Sequence, residues 1–253
     1  MKAFLLAAGK GTRLAPLTDS IPKCLVPIAG KPLLSIWIEL LETWGIQEVL
    51  INTHHLADHV TGFIDTLSDG LKISITLAHE ETLLGSGGTV LANKHFVEKE
   101  TDFLIAYADN LTNLNIRAMV SRHMEYKKNN CALTMGLVRV PNPSDCGIAE
   151  MDATGIITSF IEKPQRPAGN LANAGIYVAS ARVFDFFPAP DELNGDDVLD
   201  FGYHILPRMT GRMFGYEIKE YLRDIGTIAS YEKANREWAL QGGGKLQAGK
   251  TPR

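Results

Sequence analysis

The feature that most constrains this chain is a short apolar strand followed by a glycine-rich, basic loop. Residues 3–8 form an apolar run of strand length, and the glycine-rich loop with Gly9 and Gly11 follows it. A run of this length bounded by glycine predicts a buried strand, and glycine lets the backbone approach a ligand closely. Three cations lie beside the loop, namely Lys10, Arg13 and Lys23. Bare N–H groups together with basic side chains favour the binding of a polyphosphate.

Two well-known phosphate-binding loops do not fit this segment. The dinucleotide fingerprint needs a third glycine, and Leu14 stands in its place. The Walker loop needs Gly-Lys-Ser/Thr after a four-residue gap, and residues 9–11 lack that spacing. A plain strand-to-helix turn with solvated cations is the simplest alternative.

A longer composite motif does fit. Residues 9–18 are Gly-Lys-Gly-Thr-Arg-Leu-Ala-Pro-Leu-Thr, and Pro22 and Lys23 follow. This order closely resembles the signature of the sugar-1-phosphate nucleotidylyltransferases, and the resemblance extends over residues 1–240. It implies the reaction sugar 1-phosphate + NTP ⇌ NDP-sugar + pyrophosphate, with Mg²⁺ as cofactor and the NTP and sugar 1-phosphate as partners.

Bulk composition is that of an ordinary globular protein. The chain has 253 residues, of which 45% are hydrophobic and 21% charged, and this length suits one large domain or two small ones. A net charge of −4 gives no basic footprint for nucleic acid. No apolar run reaches the ~18 residues that a membrane span needs, and residues 1–8 do not suit a signal peptide.

The cysteines favour a reducing compartment. Cys24, Cys131 and Cys146 are odd in number and widely spaced, which is not typical of a disulfide framework or a zinc site. We therefore expect a cytoplasmic protein. Self-association into a homo-oligomer stays open at this stage.

Strand-like and helix-like segments alternate in the first half of the chain. Strands are predicted at 2–8, 48–52, 73–78, 103–108 and 132–140, and helices at 32–44, 57–67 and 116–128. This order predicts an α/β fold with a doubly wound, mostly parallel sheet that binds its ligands at the carboxyl ends of the strands. The resemblance implies the same Rossmann-like fold, similar to GT-A-type nucleotidyltransferases.

The second half has the character of α+β material. Strands are predicted at 148–151, 156–162, 175–178 and 213–218, and helices at 181–187, 197–209 and 227–240. We expect a single domain over 1–240, with a nucleotide-binding lobe at about 1–140 and a sugar-phosphate lobe at about 141–240. Residues 241–253 are glycine-rich and polar, and a flexible tail is expected there. The sequence contains no hexapeptide repeat of the β-helix type, so no β-helix domain is expected.

Two aspartates are candidate metal ligands. Asp109 follows the predicted strand 103–108, at the carboxyl end where such sheets bind ligands. Asp224 lies in an Asp-Ile-Gly-Thr string that resembles the family's second metal-binding segment. Mg²⁺ typically uses one or two carboxylates together with substrate phosphates. Taken alone, Asp109 also suits a turn with Asn110, and Asp224 or Thr227 also suits a helix N-cap.

The nucleotide-binding prediction combines the opening loop with a second glycine-rich segment. Residues 84–88 are Leu-Gly-Ser-Gly-Gly and resemble the family's loop beneath the nucleobase, although they also suit a flexible helix start. Glu80 or Glu81 could accept hydrogen bonds from the base edge, which favours guanine. The residues predicted to bind the nucleotide are Leu6, Ala8, Gly9, Gly11, Thr12, Arg13, Glu80, Gly85, Ser86 and Gly88.

The sugar-phosphate prediction rests on three short matches in the second half. Glu162-Lys163-Pro resembles a family triplet whose lysine meets the sugar phosphate and whose glutamate meets sugar hydroxyls. Asn173 matches an asparagine that contacts the sugar, and Gly147 a glycine that lets the sugar approach the backbone. Each match alone is weak, since a charged strand end stopped by proline is common.

The same resemblance assigns the catalytic roles. Arg13 holds the leaving β- and γ-phosphates with help from backbone groups of Gly11 and Thr12, and Lys23 meets the charge at the α-phosphate. The predicted catalytic residues are Arg13, Lys23, Asp109 and Asp224. Since all four are kept, an enzyme is favoured over a nucleotide-sugar-sensing regulatory subunit that has lost catalysis.

The base and the sugar stay open. Residues 16–18 and 84–88 look most like those of mannose- and heptose-1-phosphate guanylyltransferases, so GTP is favoured. The alternative is a uridylyltransferase acting on N-acetylmuramate, N-acetylhexosamine or glucose 1-phosphate. A glycosyltransferase is disfavoured because residues 107–110 lack Asp-x-Asp.

Two further features are interpreted as structural. His54, His55 and His59 lack the glutamate of the zinc protease motif, so metal binding is disfavoured. Cys24 stands where many relatives have a second proline and is predicted to be a small packing residue rather than a nucleophile.

Overall fold

A computed structural model of the chain describes residues 1–67, 70–193 and 198–240. The segment 241–253, for which a flexible tail is expected, lies outside the described residues, as does Asp197 at the start of one predicted helix. Within the described ranges, none of the helices combines the length and the apolar character that crossing a membrane requires.

Strands and helices alternate through the first half and strands dominate the second. The strands are β1 (Lys2–Leu6), β2 (Pro27–Ile28), β3 (Lys31–Pro32), β4 (Glu48–Thr53), β5 (Ser74–His79), β6 (Asp102–Tyr107), β7 (Asn110–Thr112), β8 (Leu133–Arg139), β9 (Gly147–Met151), β10 (Ile157–Glu162), β11 (Leu171–Ser180), β12 (Met213–Glu217) and β13 (Leu222–Asp224). The helices are α1 (Leu33–Thr43), α2 (Ala57–Leu67), α3 (Gly85–Ala92), α4 (Ile116–Lys127) and α5 (Ile228–Leu240).

One nine-stranded sheet joins the two halves of the chain. Its main path runs β10-β9-β11-β6-β1-β4-β5, and β8 pairs with both β11 and β12. The pairs β1–β4, β1–β6, β4–β5 and β8–β12 are parallel, while β11 runs antiparallel to β6, β8 and β9. The predicted α/β sheet is thus confirmed, with the parallel strands β6, β1, β4 and β5 on one side and the antiparallel pairs of β11 on the other.

The sheet is covered on both faces, which explains why its central strands are apolar throughout. Successive side chains of a strand point to opposite faces. In β1, Leu5 belongs to the core cluster that includes Trp37 of α1 and Trp238 of α5. Phe4 belongs to the cluster on the other face, with Phe103 and Phe201. A parallel sheet buried on both faces needs such continuous apolar strands.

Two helix predictions in the second half are confirmed only in part, because neither segment forms a continuous α-helix. Residues 181–187 form only a tight helical turn, Ala181–Phe186. The described part of 197–209 forms two short turns, Phe201–Ile205 and Leu206–Met209. Pro207 lacks the N–H that a continuing helix requires. The other predicted helices match to within about one residue, as α1, α2, α4 and α5 show.

Two very short strands position a key loop and were missed at the sequence level. β7 and β13 form an antiparallel ladder in which Asn110 lies opposite Asp224. Ile225 N–H also donates to the carbonyl of Asp109 at 3.0 Å. Two segments more than a hundred residues apart are therefore held side by side at the carboxyl end of β6.

Candidate active site

The first cavity, with a volume of about 380 Å³, lies at the carboxyl ends of β1, β4 and β6. Lining residues predicted from the opening strand and loop are Leu6, Ala8, Gly9, Gly11, Thr12 and Arg13. Lining residues predicted from the second glycine-rich segment are Glu80, Gly85 and Ser86. The structure thus brings together, on one cavity, two segments that the sequence separates by about seventy residues.

The opening loop takes its shape from a glycine. Gly11 has φ +66°, in the left-handed region that favours glycine. A Cβ on Gly11 would lie 2.9 Å from Cγ2 of Thr18, whose hydroxyl donates to the Gly11 carbonyl at 2.8 Å. This close packing leaves Thr12 and Arg13 exposed at the mouth of the cavity.

Lys23 is buried and paired with a predicted metal ligand. Its side chain is 10% exposed, and its Nζ lies 2.5 Å from Oδ2 of Asp109. The backbone beside Asp109 is fixed in turn, because Trp37 Nε1 donates to the Asn110 carbonyl at 2.8 Å. A buried ammonium next to a carboxylate forms an ion pair. The carboxylate can also bind a cation, and the ammonium can also bind a phosphate.

Asp224 stands at the end of β13, beside Arg13. Its Oδ1 accepts the Gly226 N–H at 2.6 Å, and a Cβ on Gly226 would meet Arg13 Nη2 at 3.1 Å. Desolvation by the surrounding cavity wall raises the pKa of Asp224, and the negative charge of Asp109 raises it further. Lys23 opposes that shift. Two carboxylates near enough to repel each other are a donor set that suits a divalent cation.

Glu80 lines the first cavity as predicted, and its carboxylate is already hydrogen-bonded to protein groups. It is 5% exposed, and its Oε1 accepts from Asn52 Nδ2 at 2.8 Å and from the Thr89 hydroxyl at 2.5 Å. Its Oε2 accepts the Leu84 N–H at 3.1 Å. Both oxygens of this carboxylate accept hydrogen bonds from protein groups, so the carboxylate anchors the glycine-rich segment.

The predicted nucleotide residue Gly88 lies outside the lining of the first cavity. Its N–H donates to the Leu199 carbonyl at 2.9 Å, and a Cβ there would meet Cβ of Leu84 at 2.9 Å. Gly88 therefore serves the packing of the segment against residue 199.

The second cavity, of about 660 Å³, adjoins the first. The four residues predicted to bind the sugar phosphate line it, and these are Gly147, Glu162, Lys163 and Asn173. Both predicted metal ligands, Asp109 and Asp224, line it as well.

Glu162 occupies a narrow place between two glycines. A Cβ on Gly202 would lie 2.6 Å from its Oε2, and a Cβ on Gly147 would be closer still. Desolvation raises the pKa of Glu162, and the negative charge of Asp200 adds to that shift. The position of the Glu162 carboxylate therefore requires glycine at both 147 and 202.

Lys163 has an unusual backbone conformation. Its φ is +46°, which costs a non-glycine residue about 1–3 kcal/mol. The conformation is held by the Lys163 N–H, which donates to the Cys146 carbonyl at 3.1 Å. Its Nζ lies 5.7 Å from the ring centroid of Tyr203, within cation–π range.

Asn173 is oriented by two contacts. Its Nδ2 donates to the Tyr177 hydroxyl at 2.7 Å and its Oδ1 accepts the Gly175 N–H at 3.0 Å. Gly175 has φ +64° and closely approaches the ring of Tyr107. The amide is thus fixed at the floor of the second cavity.

Three residues line both cavities, namely Arg13, Tyr107 and Asp109. Burial raises the pKa of the Tyr107 phenol, and the charge of Asp200 contributes to that shift. Tyr107 therefore stays neutral at physiological pH, between one cation and one carboxylate. A ligand that extends from one cavity into the other would lie beside these three residues.

Several lining residues were missed from the sequence. In the first cavity they include Asn52, Tyr107 and Val198, and in the second Arg139, Asp200 and Gly202. Asn52 could have been found, because it ends a predicted strand at the ligand-binding edge of the sheet. Asp200 and Gly202 could not, because a single helix predicted over 197–209 did not indicate that the first described helical turn begins after Asp200.

The remaining sequence features have structural partners. His54 Nδ1 lies 2.8 Å from the Glu80 carbonyl, and His55 Nε2 lies 3.1 Å from the Thr18 carbonyl. Cys24 is buried, and desolvation raises the pKa of its thiol to about 12. The thiol is therefore not ionised at neutral pH, as suits a packing residue.

Comparison with known proteins agrees with this geometry. The model of the nucleotidyl transferase family matches residues 2–240. The chain is 35% identical over 236 residues to a probable mannose-1-phosphate guanylyltransferase 3 of Oryza sativa subsp. japonica, covering 91% of this chain and 63% of the relative. It is 32% identical over 258 residues to a glucose-1-phosphate adenylyltransferase of Acetivibrio thermocellus, covering 93% and 59%.

The chain thus spans about three-fifths of the length of these curated relatives. A solved structure of HddC from Yersinia pseudotuberculosis, complexed with GMP-PN, is similar over nearly its full length. It shares 25% identity and a TM-score of 0.76, covering 94% of this chain and 99% of that one. The resemblance seen in the opening motif is therefore confirmed, and this chain belongs to the nucleotidyl transferase family.

Proposed function

We propose that this chain transfers a nucleoside monophosphate from an NTP to a sugar 1-phosphate and releases pyrophosphate. The observation that carries the proposal is the junction of the two cavities at Arg13, Tyr107 and Asp109. The first cavity would hold the nucleotide and the second the sugar phosphate. Their reacting phosphates would then meet beside a cation and a carboxylate.

The reaction needs no protein nucleophile. A phosphate oxygen of the sugar 1-phosphate attacks the α-phosphorus in line, and the bond from that phosphorus to the bridging oxygen of the pyrophosphate breaks. A phosphate monoester has a second pKa of about 6, so the attacking oxygen is already anionic at neutral pH. Catalysis then consists of positioning and charge neutralisation.

The cations of the site have separate roles in this proposal. Arg13, exposed at the mouth of the first cavity, would hold the leaving β- and γ-phosphates. Lys23, buried beside Asp109, would meet the charge at the α-phosphate. Lys163, on the wall of the second cavity, would draw in the sugar phosphate.

Asp109 and Asp224 are the proposed holders of Mg²⁺. The β7–β13 ladder and the hydrogen bond from Ile225 N–H to the Asp109 carbonyl hold their backbones side by side. Desolvation raises the pKa of Asp224, and the charge of Asp109 raises it further. When bound, Mg²⁺ supplies positive charge to the phosphates of both substrates. Lys23 pairs with Asp109 on the same side and would share in neutralising the charge there.

GTP and a mannose- or heptose-type sugar 1-phosphate are the favoured substrates. Support comes from the guanylyltransferase relative and from the GMP-PN bound to HddC. The adenylyltransferase relative shows that a similar chain can serve another base. Glu80 does not decide the matter, since its carboxylate binds Asn52, Thr89 and Leu84.

A cytoplasmic location and a homo-oligomer stay predictions. The first is supported by the cysteines Cys24, Cys131 and Cys146, which are all free thiols. Reducing compartments keep thiols in this state.

A substrate grid tests the proposal. Pyrophosphate release is measured with Mg²⁺ while GTP, UTP, CTP, dTTP and ATP are crossed with the 1-phosphates of mannose, glucose, heptose, N-acetylglucosamine and N-acetylmuramate. We expect a sugar-dependent signal that is strongest for GTP with mannose or heptose 1-phosphate. A signal confined to UTP would reassign the base. Pyrophosphate release that never depends on a sugar phosphate would overturn the proposal.

A further inference from the structure

The segment 198–202 joins the two cavities directly. On one side it pairs with the glycine-rich segment 84–88, because Leu199 N–H donates to the Leu84 carbonyl at 2.9 Å. In return the Leu199 carbonyl accepts the N–H groups of Gly87 and Gly88, at 2.8 and 2.9 Å. A movement of either segment therefore displaces the other.

A side-chain link reinforces this pairing. The Ser86 hydroxyl donates to Oδ2 of Asp200 at 3.1 Å and accepts the Phe201 N–H at 2.8 Å. Ser86 lines the first cavity, while Asp200 lines the second. One hydroxyl thus ties a residue of the proposed nucleotide site to a carboxylate of the proposed sugar site.

Asp200 also shapes the wall of the second cavity. Its other oxygen, Oδ1, accepts the N–H groups of Gly202 and Tyr203, at 2.8 and 3.0 Å. These amides begin a helical turn, so Asp200 serves as its N-cap. This carboxylate and the Ser86 hydroxyl together hold the first amides of the turn.

The turn contacts both charged residues proposed to bind the sugar phosphate. Gly202 leaves the space that Glu162 occupies, since a Cβ there would lie 2.6 Å from Oε2 of Glu162. The next residue, Tyr203, places its ring 5.7 Å from Nζ of Lys163. A shift of the turn would therefore move a carboxylate and an ammonium at once.

We propose that Asp200 is a positioning residue that couples the two sites: occupation of the segment 84–88 by a nucleotide is transmitted through Ser86 and Asp200 to Glu162 and Lys163. This inference rests on the proposed function, because it takes the second cavity to be the sugar-phosphate site. By linkage the coupling is reciprocal, so bound sugar phosphate tightens nucleotide binding by the same factor.

The experiment measures that factor by equilibrium binding, without turnover. The probes are mannose 1-phosphate and the α,β-methylene analogue of GTP, which cannot release pyrophosphate, or the corresponding pair if the substrate grid selects another. Mannose 1-phosphate is titrated calorimetrically into the protein, with Mg²⁺, in the presence and absence of saturating analogue. The ratio of the two dissociation constants is the coupling factor, and it cancels any change in the analogue's own affinity.

We expect a factor of at least about fivefold for the unaltered protein, the lower end for coupled sites. Ser86→Ala breaks the link, and its factor is expected to fall to about twofold or less. Ser86→Thr keeps a hydroxyl and should restore it. Ser180→Ala is a matched control, because it removes a buried serine hydrogen bond to the Ala132 carbonyl on another part of the sheet; its factor should equal that of the unaltered protein.

Asp200→Ala tests two roles of Asp200, namely the link to Ser86 and the support of the turn that contacts Glu162 and Lys163. It removes both the link and the N-cap, so we expect it to lose the coupling and also to weaken mannose 1-phosphate binding without nucleotide. Circular dichroism identifies which variants are folded, and either folded variant decides the question. An unchanged coupling factor in Ser86→Ala or Asp200→Ala, or no coupling in the unaltered protein, would overturn the inference. Absence of turnover for every substrate pair would instead overturn the proposed function, and the inference with it.

Discussion

At the scale of single residues, the site depends on cations that differ in their surroundings. Arg13 is exposed in the opening loop, whereas Lys23 is buried against Asp109. An exposed arginine retains the freedom to follow a leaving group, and its planar donors suit phosphate oxygens. A buried lysine is a fixed charge. In the proposed reaction the two residues would therefore meet different parts of the same polyphosphate.

The first prediction concerns Arg13. Arg13→Ala should lower kcat by roughly 10²-fold or more, the effect of losing one donor that stabilises charge in the transition state. Steady-state pyrophosphate release measures it. Arg117→Ala is the matched control, because Arg117 is exposed on α4, away from both cavities. Turnover near that of the unaltered protein in Arg13→Ala would contradict the role assigned to Arg13.

The second prediction concerns Gly147. A Cβ at this position would lie 2.6 Å from Cζ of Phe160 and would also displace the carboxylate of Glu162. Gly147→Ala should raise the KM for sugar 1-phosphate by roughly tenfold, as expected for losing a hydrogen bond to a charged group. The KM for the NTP should change little.

Gly169→Ala serves as its control, because a Cβ on Gly169 meets nothing within 4 Å. Kinetics of both variants with the sugar phosphate and the NTP varied separately decide the matter. A rise in the KM for the NTP alone would mean that Gly147 does not belong to a sugar-phosphate site.

At the scale of elements, the proposed metal ligand Asp224 depends on a small ladder supported by a helix. β13 carries Asp224, and its neighbour Arg223 forms a bidentate ion pair with Glu237 of α5, at 2.9 and 3.2 Å. The hydroxyl of Tyr221, the residue before the strand, donates to the same glutamate at 3.0 Å. A three-residue strand has few contacts of its own, so this support fixes its position.

The third prediction follows from that support. Glu237→Ala should raise the Mg²⁺ concentration required for half-maximal activity by roughly tenfold, the lower range for losing a contact that supports a metal ligand. The comparison is Glu232→Ala, an exposed glutamate of the same helix. Activity is titrated with Mg²⁺ at saturating substrates. Equal Mg²⁺ requirements in the two variants would show that α5 does not position Asp224.

The sequence predicted those elements that carry a strong periodic signal. α2 is found at the predicted residues 57–67, and β4 extends the predicted 48–52 by one residue. β7 and β13 have three residues each, too few for any periodicity, and only tertiary pairing defines them. The opening motif led to Arg13 and Lys23, but Asp200 could be recognised only once its turn was seen to contact Glu162.

At the scale of the whole molecule, the two ends of the parallel strands differ in what they carry. The carboxyl ends of the parallel strands carry the cavities, while the opposite end of β6 carries a buried polar cluster. There His123 of α4 is fully buried, with Nδ1 3.0 Å from the Thr134 hydroxyl and Nε2 3.2 Å from Oδ1 of Asp102. Lys127 Nζ lies 2.6 Å from the same oxygen. This cluster fastens α4 to the sheet.

The fourth prediction is a pH dependence of stability. Desolvation lowers the pKa of His123, and Asp102 opposes that shift without cancelling it. The unfolded chain, with an ordinary histidine pKa of about 6.5, therefore binds the proton first. As the pH falls below about 6.5, His123 should progressively reduce the free energy of unfolding.

Urea unfolding between pH 7.5 and pH 5 tests this expectation. His123→Gln should show a shallower decline of the free energy of unfolding than the unaltered protein, whatever its absolute stability. His95→Gln, which replaces an exposed histidine, should show the unaltered slope. If the free energy of unfolding declined with pH at the same slope in all three proteins, His123 would not contribute to the acid sensitivity.

The most direct measurement follows the phosphates themselves. GTP labelled separately at the α- and γ-phosphorus is incubated with the protein, Mg²⁺ and mannose or heptose 1-phosphate, and the products are separated by chromatography. Nucleotidyl transfer predicts that the α-label appears in the NDP-sugar and the γ-label in pyrophosphate. Recovery of the α-label in free GMP or GDP would contradict the proposed reaction.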